Sequence, residues 1–144
     1  MKRSWIEYHA KFIQSPMTYW VHIGRVHGRR IKTIEYEPPH PKPVAGEGYP
    51  LFFVELDGMT FQFSSLIEIR TCIETLSKKD LPTARQLFAD EDFIYSTHWL
   101  SRLPMKVKTW RYREKAVKYL TNALAKFEDE IGGKKRTRQT ITRA

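Results

Sequence analysis

One dipeptide constrains the fold of this chain more than any other: Asp57-Gly58 separates two segments that are rich in apolar and aromatic residues, Leu51–Leu56 and Met59–Ser64. Asp-Gly supplies the two positive φ angles of a type I′ turn, so these segments are predicted to form a β-hairpin with a two-residue loop. That loop length sets the register: Phe52, Val54 and Leu56 face Phe63, Phe61 and Met59 on one side of the ribbon. This side is predicted to be core, and the other side is mostly polar.

A second hairpin is predicted from Tyr19 to Glu37, with His27-Gly28 at its tip. A two-residue loop there places Arg25 opposite Arg30, beside Arg29. Like charges in cross-strand positions are destabilising unless an anion relieves them. The tip is therefore a candidate anion-binding element.

The segment before this hairpin, Trp5 to Ile13, is ambiguous. Its apolar residues alternate as in a strand, yet Ser4-x-x-Glu7 is typical of a helix start. We interpret it as a strand. The proline-rich stretch from Pro38 to Pro50 is predicted to be a connection.

Helices are predicted to follow the strands. Ser65-x-x-Glu68 is a capping box that opens a helix to about Lys79, and two short helices are predicted after Pro82 and from Thr97 to Leu103. A C-terminal helix is predicted to end at Gly132-Gly133. Its expected core stripe consists of Trp110, Val117, Leu120, Leu124, Phe127 and Ile131.

These elements predict an α+β fold, in which an antiparallel sheet of four to five strands from the N-terminal half carries the C-terminal helices on one face. A length of 144 residues suits one domain, which we assign to residues 1–132. Residues 133–144 lack apolar periodicity and are predicted to be a basic, disordered tail.

The net charge of the chain is concentrated in its last third. Residues 97–144 contain 13 Lys or Arg and 4 Asp or Glu, a balance of +9, whereas the charges of the preceding residues cancel. A surface of one sign steers polyanions toward itself. The leading hypothesis is therefore a nonenzymatic protein that binds nucleic acid through its phosphates.

The candidate nucleic-acid contacts form three groups. The first group is the ridge, a row of cations opposite the apolar stripe of the last helix (Arg111, Lys115 and Lys118), together with the lead-in that precedes it (Arg102, Lys106 and Lys108). The second group is the hairpin tip, and the third is the tail, residues 133–144. In chain order the candidate residues of the tip, lead-in and ridge are Arg25, Arg29, Arg30, Arg102, Lys106, Lys108, Arg111, Lys115 and Lys118. Trp20 and Phe53, on the polar face of the sheet, are candidates for base stacking.

The main alternative is a protein–protein interaction module that assembles with itself or with an acidic partner. A small enzyme is a third hypothesis, with His98, Arg102 and His22 as the residues to inspect for a pocket. No catalytic residue, metal site or cofactor is predicted, because the five histidines lack metal-site spacing and no Gly-rich phosphate loop is present.

The single cysteine, Cys72, excludes an intramolecular disulfide, and its helical neighbours predict a buried, unreactive thiol. The N-terminus begins like a signal peptide, but Glu7, His9 and Lys11 interrupt an apolar core region. No stretch is apolar enough to span a bilayer. A cytoplasmic protein without membrane contact is therefore expected.

Overall fold

The computed structural model describes residues 2–27, 33–81, 99–100 and 102–143, and it describes 25–27, 33–34 and 134–143 by their backbone alone. Five strands and four helices occur in these ranges. In chain order they are β1 (Lys2–His9), α1 (Thr18–Val21), β2 (Ile23–His27), β3 (Thr33–Glu37), β4 (Tyr49–Leu56), β5 (Met59–Phe63), α2 (Leu66–Ser77), α3 (Met105–Lys108) and α4 (Trp110–Arg143).

The fold is α+β, as predicted, but its strands form two antiparallel sheets rather than one. The larger sheet has three strands in the order β1-β4-β5, and the smaller consists of β2 and β3. The five described strands match the predicted number, but the prediction of a single sheet is wrong, because β2 and β3 pair only with each other in the described part of the chain.

The β4–β5 hairpin forms in the predicted register. Val54 is paired with Phe61, and Asp57 and Gly58 have φ angles of 50° and 87°. The side of the hairpin that was predicted to be core packs with α2 and α4, and Phe52 of β4 lies 5.0 Å from Phe127 of α4 between ring centroids. The local turn signal therefore sets both the register and the buried face.

The smaller sheet corrects the second predicted hairpin. Arg25 pairs with Glu35, not with Arg30, and residues 28–32 separate the two strands. Arg25 thus has an acidic cross-strand neighbour, and the argument from repelling arginines no longer holds. Arg29 and Arg30 lie outside the described residues.

The start of that hairpin is also different, because Tyr19 lies in α1 rather than in a strand. Hydroxyls nucleate this turn: the Ser15 backbone N–H donates to Thr18 Oγ1 at 2.8 Å, and the Met17 N–H donates to Ser15 Oγ at 3.1 Å. Such local side-chain bonds compete with strand pairing. Trp20 consequently lies on α1 and not on a sheet face beside Phe53.

Strand β1 confirms the strand interpretation as far as His9, but it begins earlier, at Lys2. It pairs with β4 along its whole length, so that Trp5 lies opposite Phe53. Their rings stack with centroids 5.1 Å apart and planes 6° apart. The aromatic neighbour of Phe53 is therefore Trp5.

Helix α2 begins as predicted, with Ser65 Oγ accepting the backbone N–H of Glu68 at 3.2 Å. It ends at Ser77, two residues before the predicted end. Cys72 is fully buried, and burial raises the pKa of its thiol, as expected of an unreactive structural cysteine.

Helix α4 buries a face that is rotated from the predicted one. Tyr112, Ala116, Leu120, Ala123 and Phe127 are buried, whereas Trp110 is 42% exposed. The apolar spacing alone favours Trp110 over Tyr112, but the core selects side chains that fit against the sheet and α2. Small residues such as Ala116 let α4 approach closely.

The predicted end of α4 is wrong, because the helix continues through Gly132 and Gly133 to Arg143. Each glycine weakens a helix by about 1 kcal/mol, but neither removes a backbone hydrogen bond, and no proline follows. The division into a domain of residues 1–132 and a tail stays a prediction. The short helix expected after Pro82 falls outside the described residues, as do Thr97, His98 and Ser101 of the helix expected from Thr97 to Leu103. The described residues of that segment, 99–100 and 102–103, form turns and bends rather than a helix, and α3 is a separate helix that starts directly after Pro104.

Candidate functional site

The ridge and its lead-in are at the surface. Side chains of Arg102, Lys106, Arg111, Lys115 and Lys118 are exposed, and that of Lys108 is partly buried. The structure places these six together on α3, α4 and the turn before them. It describes only the backbone of Arg25, and Arg29 and Arg30 lie outside the described residues, so the nucleic-acid contacts expected at the tip stay a prediction.

Two of these cations converge on the β4–β5 turn. Lys115 Nζ lies 2.9 Å from the carboxylate Oδ2 of Asp57, and Lys106 Nζ donates to the Asp57 backbone carbonyl at 3.2 Å. The hydrogen bond from Lys115 holds the pKa of Asp57 below its ordinary value. Asp57 therefore anchors both lysines, Lys115 through its carboxylate and Lys106 through its backbone carbonyl.

The same turn anchors the start of α4. Tyr112 donates its hydroxyl to the Leu56 carbonyl at 2.8 Å, and burial raises the pKa of Tyr112 to about 12, so the phenol stays a donor. Lys2 is the cross-strand partner of Leu56 and adds a further cation at this edge. We define the basic end as the two lysines that bond Asp57, the exposed cations one turn from Lys115 on α4, and Lys2 at the adjacent strand end: Lys2, Lys106, Arg111, Lys115 and Lys118.

The sequence around the basic end contains little negative charge. Residues 93–127 contain eight Lys or Arg and one acidic residue, Glu114. One of the eight, Arg113, is 4% exposed and therefore not available to a ligand. The other seven leave a clear excess of positive charge at the surface.

Arg113 is a residue that sequence reasoning missed. Its guanidinium donates to the carbonyls of Lys108 at 3.0 Å, Leu76 at 3.2 Å and Lys79 at 3.2 Å, and also to that of Lys78. It thereby satisfies one of the terminal carbonyls of α2, that of Leu76, and those of the two residues that follow the helix. The available signal was indirect: the last turn of α2 contains no basic residue of its own.

A buried polar network is the second feature that the sequence did not reveal. Glu68 accepts hydrogen bonds from the Ser64 backbone N–H at 3.0 Å, from the Thr18 hydroxyl at 3.0 Å and from the Ser15 hydroxyl. Its Oε2 also lies 3.4 Å from Nε2 of His22, and both side chains are 0% exposed. The capping box predicts only that Glu68 reaches back to Ser65.

His22 links this carboxylate to the segment after β3. Its Nδ1 donates to the Pro38 carbonyl at 2.8 Å, and its Nε2 lies 2.8 Å from Ser65 Oγ. Burial lowers the pKa of His22, but the hydrogen bonds to Glu68 and Pro38 outweigh burial, and the pKa is raised overall. At a pH below this raised pKa, His22 and Glu68 form a buried ion pair, which ties α1 and the residues near Pro38 to the start of α2.

His40 lies beside His22, but its pKa is shifted in the opposite direction. Its ring stacks on Tyr36 at 3.8 Å and on Phe12 at 4.5 Å between centroids, and its edge faces His22. Burial, and then the charge of His22, lower its pKa. Two histidines in one cluster thus favour opposite protonation states.

The chemistry of this buried network is structural. Its carboxylate and imidazole are closed off from solvent, so neither can reach a substrate. Within the described ranges, no group of three or more His, Cys, Asp or Glu could hold a metal ion. No described helix is long and apolar enough to cross a membrane.

Comparison with known proteins gives no match: no protein-family model, no curated protein and no solved structure is significantly similar to this chain.

Proposed function

We propose that this chain is a nonenzymatic nucleic-acid-binding protein whose phosphate contacts come from the basic end and from the neighbouring Arg102 and Lys108. The observation that supports the proposal most is the pair of hydrogen bonds from Lys106 and Lys115 to one residue, Asp57. These bonds hold two cations in place before any ligand arrives, so less side-chain freedom is lost on binding.

The charge balance supports the same conclusion. Asp57 neutralises one positive charge, whereas Lys106, Lys115, Arg111 and Lys118 supply four. Neighbouring positions on the ridge are three or four residues apart, which puts their side chains about 5–6 Å from one another at Cβ. Cations spaced in a row can contact successive phosphates of one strand, and each phosphate neutralised releases condensed counterions.

The test is a salt titration with labelled single- and double-stranded oligonucleotides of about 16 nucleotides. The double variant Arg111→Glu with Lys118→Glu is expected to weaken binding by about tenfold or more at low salt. Removing two phosphate contacts is also expected to make the log–log salt slope for duplex less steep by about 1.8.

A matched control carries the same charge change at the other end of the sheet. Lys11 and Lys42 are exposed. Lys11 comes two residues after His9, at the end of β1 opposite to Lys2, which is the cross-strand partner of Leu56. The double variant Lys11→Glu with Lys42→Glu is expected to change affinity by less than about threefold. Equal losses in both doubles would reduce the effect to bulk charge, and no binding by the unaltered protein at low salt would refute the proposal.

An interaction module is a second candidate function, favoured by exposed apolar side chains around α1. Tyr19 is 70% exposed, Ile23 47% and Ile13 37%. Such residues close together are typical of a protein-binding surface. Light scattering during gel filtration distinguishes the two: a mass above the 17.1 kDa of one chain that falls on Ile23→Asp substitution supports this candidate.

A further inference from the structure

Trp110 is an exposed indole at the first position of α4. Its side chain belongs to the apolar stripe by spacing, yet it is 42% exposed, while the neighbouring Tyr112 is buried. Exposing a tryptophan forgoes the burial of a large apolar surface. An indole that the core leaves out in this way is available for contact with a ligand.

The indole is held in a defined position by Arg113. The guanidinium carbon of Arg113 lies 4.9 Å from the centroid of the Trp110 ring, a cation–π contact. Arg113 itself is fixed by backbone carbonyls of Lys108 and of the end of α2. One face of the indole therefore lies against a rigid cation, and a ligand can stack on the ring without first ordering it.

Trp5 provides a contrast. Its ring already stacks on Phe53, and the Arg3 guanidinium lies 4.4 Å from the ring centroid. Arg3 in turn pairs with Glu55 at 3.9 Å. The aromatic pair on the outer face of the sheet thus has its partners within the protein, in a region without an excess of positive charge.

Positive charge surrounds Trp110 in the chain. Lys106 and Lys108 precede it, Arg111 follows it directly, and Lys115 lies little more than one turn further on. At about 100° per residue, Lys118 and Arg111 lie about 80° and 100° around α4 from Trp110, so the ring borders the row of cations on the side nearer the core. Proteins bind single-stranded nucleic acid with an aromatic ring and neighbouring cations, because bases stack on the ring while phosphates contact the cations. A duplex keeps its bases paired and stacked, so it offers phosphates but no free base.

We propose that Trp110 stacks a base of single-stranded nucleic acid whose phosphates contact the basic end. This inference rests on the proposed function and adds to it the class of ligand. It predicts that the protein distinguishes a strand with bases from the same backbone without them.

The experiment compares Trp110→Phe and Trp110→Leu with the unaltered protein on three probes: oligothymidylate of about 12 nucleotides, an abasic strand of equal length, and a duplex. Leucine covers Arg113 but has no ring, and phenylalanine keeps one. Trp110→Leu is expected to weaken oligothymidylate binding by about 5- to 150-fold and to leave the other two probes within about twofold. Trp110→Phe is expected to retain most of the affinity.

Tyr19→Leu is the matched control, because it removes a more exposed aromatic ring at a distant part of the chain. It is expected to leave all three affinities unchanged. Thermal melts check that each variant is folded. Equal binding of the abasic strand and oligothymidylate, together with no effect of Trp110→Leu on either, would overturn the inference alone.

Two further outcomes would overturn the proposed function as well as the stacking role. If no probe binds the unaltered protein, the proposed function fails and the stacking role fails with it. Binding to acidic peptides or to phosphatidylserine vesicles, without binding to oligonucleotides, has the same consequence.

Discussion

The buried carboxylate of Glu68 offers a sharp test of how the two helices and the α1 turn are held together. In Glu68→Gln, one side-chain oxygen must still accept the Ser64 backbone N–H, because that donor cannot turn away. The amide nitrogen then occupies the position of Oε2, facing Thr18 Oγ1 and His22 Nε2. The substitution is nearly isosteric, so it changes charge and hydrogen bonding without opening a cavity.

The magnitude follows from the interactions that are lost. The Thr18 hydroxyl loses a charged acceptor, which contributes about 1.5–3 kcal/mol, and His22 loses the counter-charge of a fully buried ion pair. Breaking one partner of such a pair destabilises a protein by about 3–5 kcal/mol. We expect the free energy of unfolding to fall by about 3–5 kcal/mol, a large fraction of the total for a small domain.

Urea unfolding, followed by far-UV circular dichroism at about pH 6, measures this change. With a slope of about 1.5 kcal/mol per molar urea, a loss of 3 kcal/mol lowers the midpoint by about 2 M. The matched control is Glu128→Gln, which breaks an exposed pair with Arg70 of 2.9 Å. That pair contributes about 0–1 kcal/mol. Glu68→Gln and Glu128→Gln shifts of equal size would refute the reasoning.

Two further predictions concern the histidine cluster and Arg113. The pKa of His22 is raised in the folded protein, so the stability that His22 contributes is complete below the unfolded pKa of about 6.5 and is lost as pH rises through the folded pKa. The pKa of His40 is lowered, so the stability that His40 contributes is present above about 6.5 and is lost as pH falls through its folded pKa. The urea midpoint is therefore expected to peak near pH 6.5, with the alkaline decline reduced in His22→Gln and the acid decline reduced in His40→Phe; a decline that persists unchanged in its variant would show that another group causes it. Arg113→Lys is expected to destabilise the protein by about 2–4 kcal/mol, because one ammonium cannot reach all the carbonyls that the planar fork serves; Arg102→Lys, at an exposed position, is expected to change stability by less than about 0.5 kcal/mol, and equal effects of the two would contradict a capping role.

Two local signals in the sequence predicted local structure correctly, whereas the helix end expected at Gly132-Gly133 was wrong. The turn at Asp57-Gly58 and the N-cap at Ser65 are confirmed because each depends on backbone angles or hydrogen bonds within a few residues. The exposure of the ridge follows in the same way from helical periodicity. None of these predictions depends on contacts with distant parts of the chain.

Two other errors arise where residues distant in the chain determine the local structure. Thr18 lies in a helical turn rather than a strand, and its hydroxyl bonds Glu68, 50 positions further along the chain. Trp110 is exposed because Tyr112 takes the position against the β4–β5 turn. Spacing identifies an apolar stripe, but only the shape of the opposing surface decides which of its neighbours enters the core.

For the candidate site too, the sequence predicted some features, whereas others depend on contacts between distant residues. Sequence composition located the basic segment, whereas the convergence of Lys106 and Lys115 on Asp57 depends on the packing of α4 against a hairpin about 50 residues earlier. The buried pair of His22 and Glu68 had no sequence signal beyond the capping box. The number of charged residues can be read from the sequence, but which of them lie close together depends on the fold.

The position of Arg113 also constrains the order in which the chain can complete its structure. The carbonyls of Leu76, in the last turn of α2, and of Lys78, directly after the helix, accept hydrogen bonds from the side chain of Arg113, which is 35 positions beyond Lys78. During synthesis, α2 therefore remains unfinished at its C-terminal end until the first turns of α4 have emerged, whereas the β4–β5 hairpin needs only its own residues. Amide exchange in the last turn of α2 should consequently report the docking of α4, so that the two helices open and close as one unit.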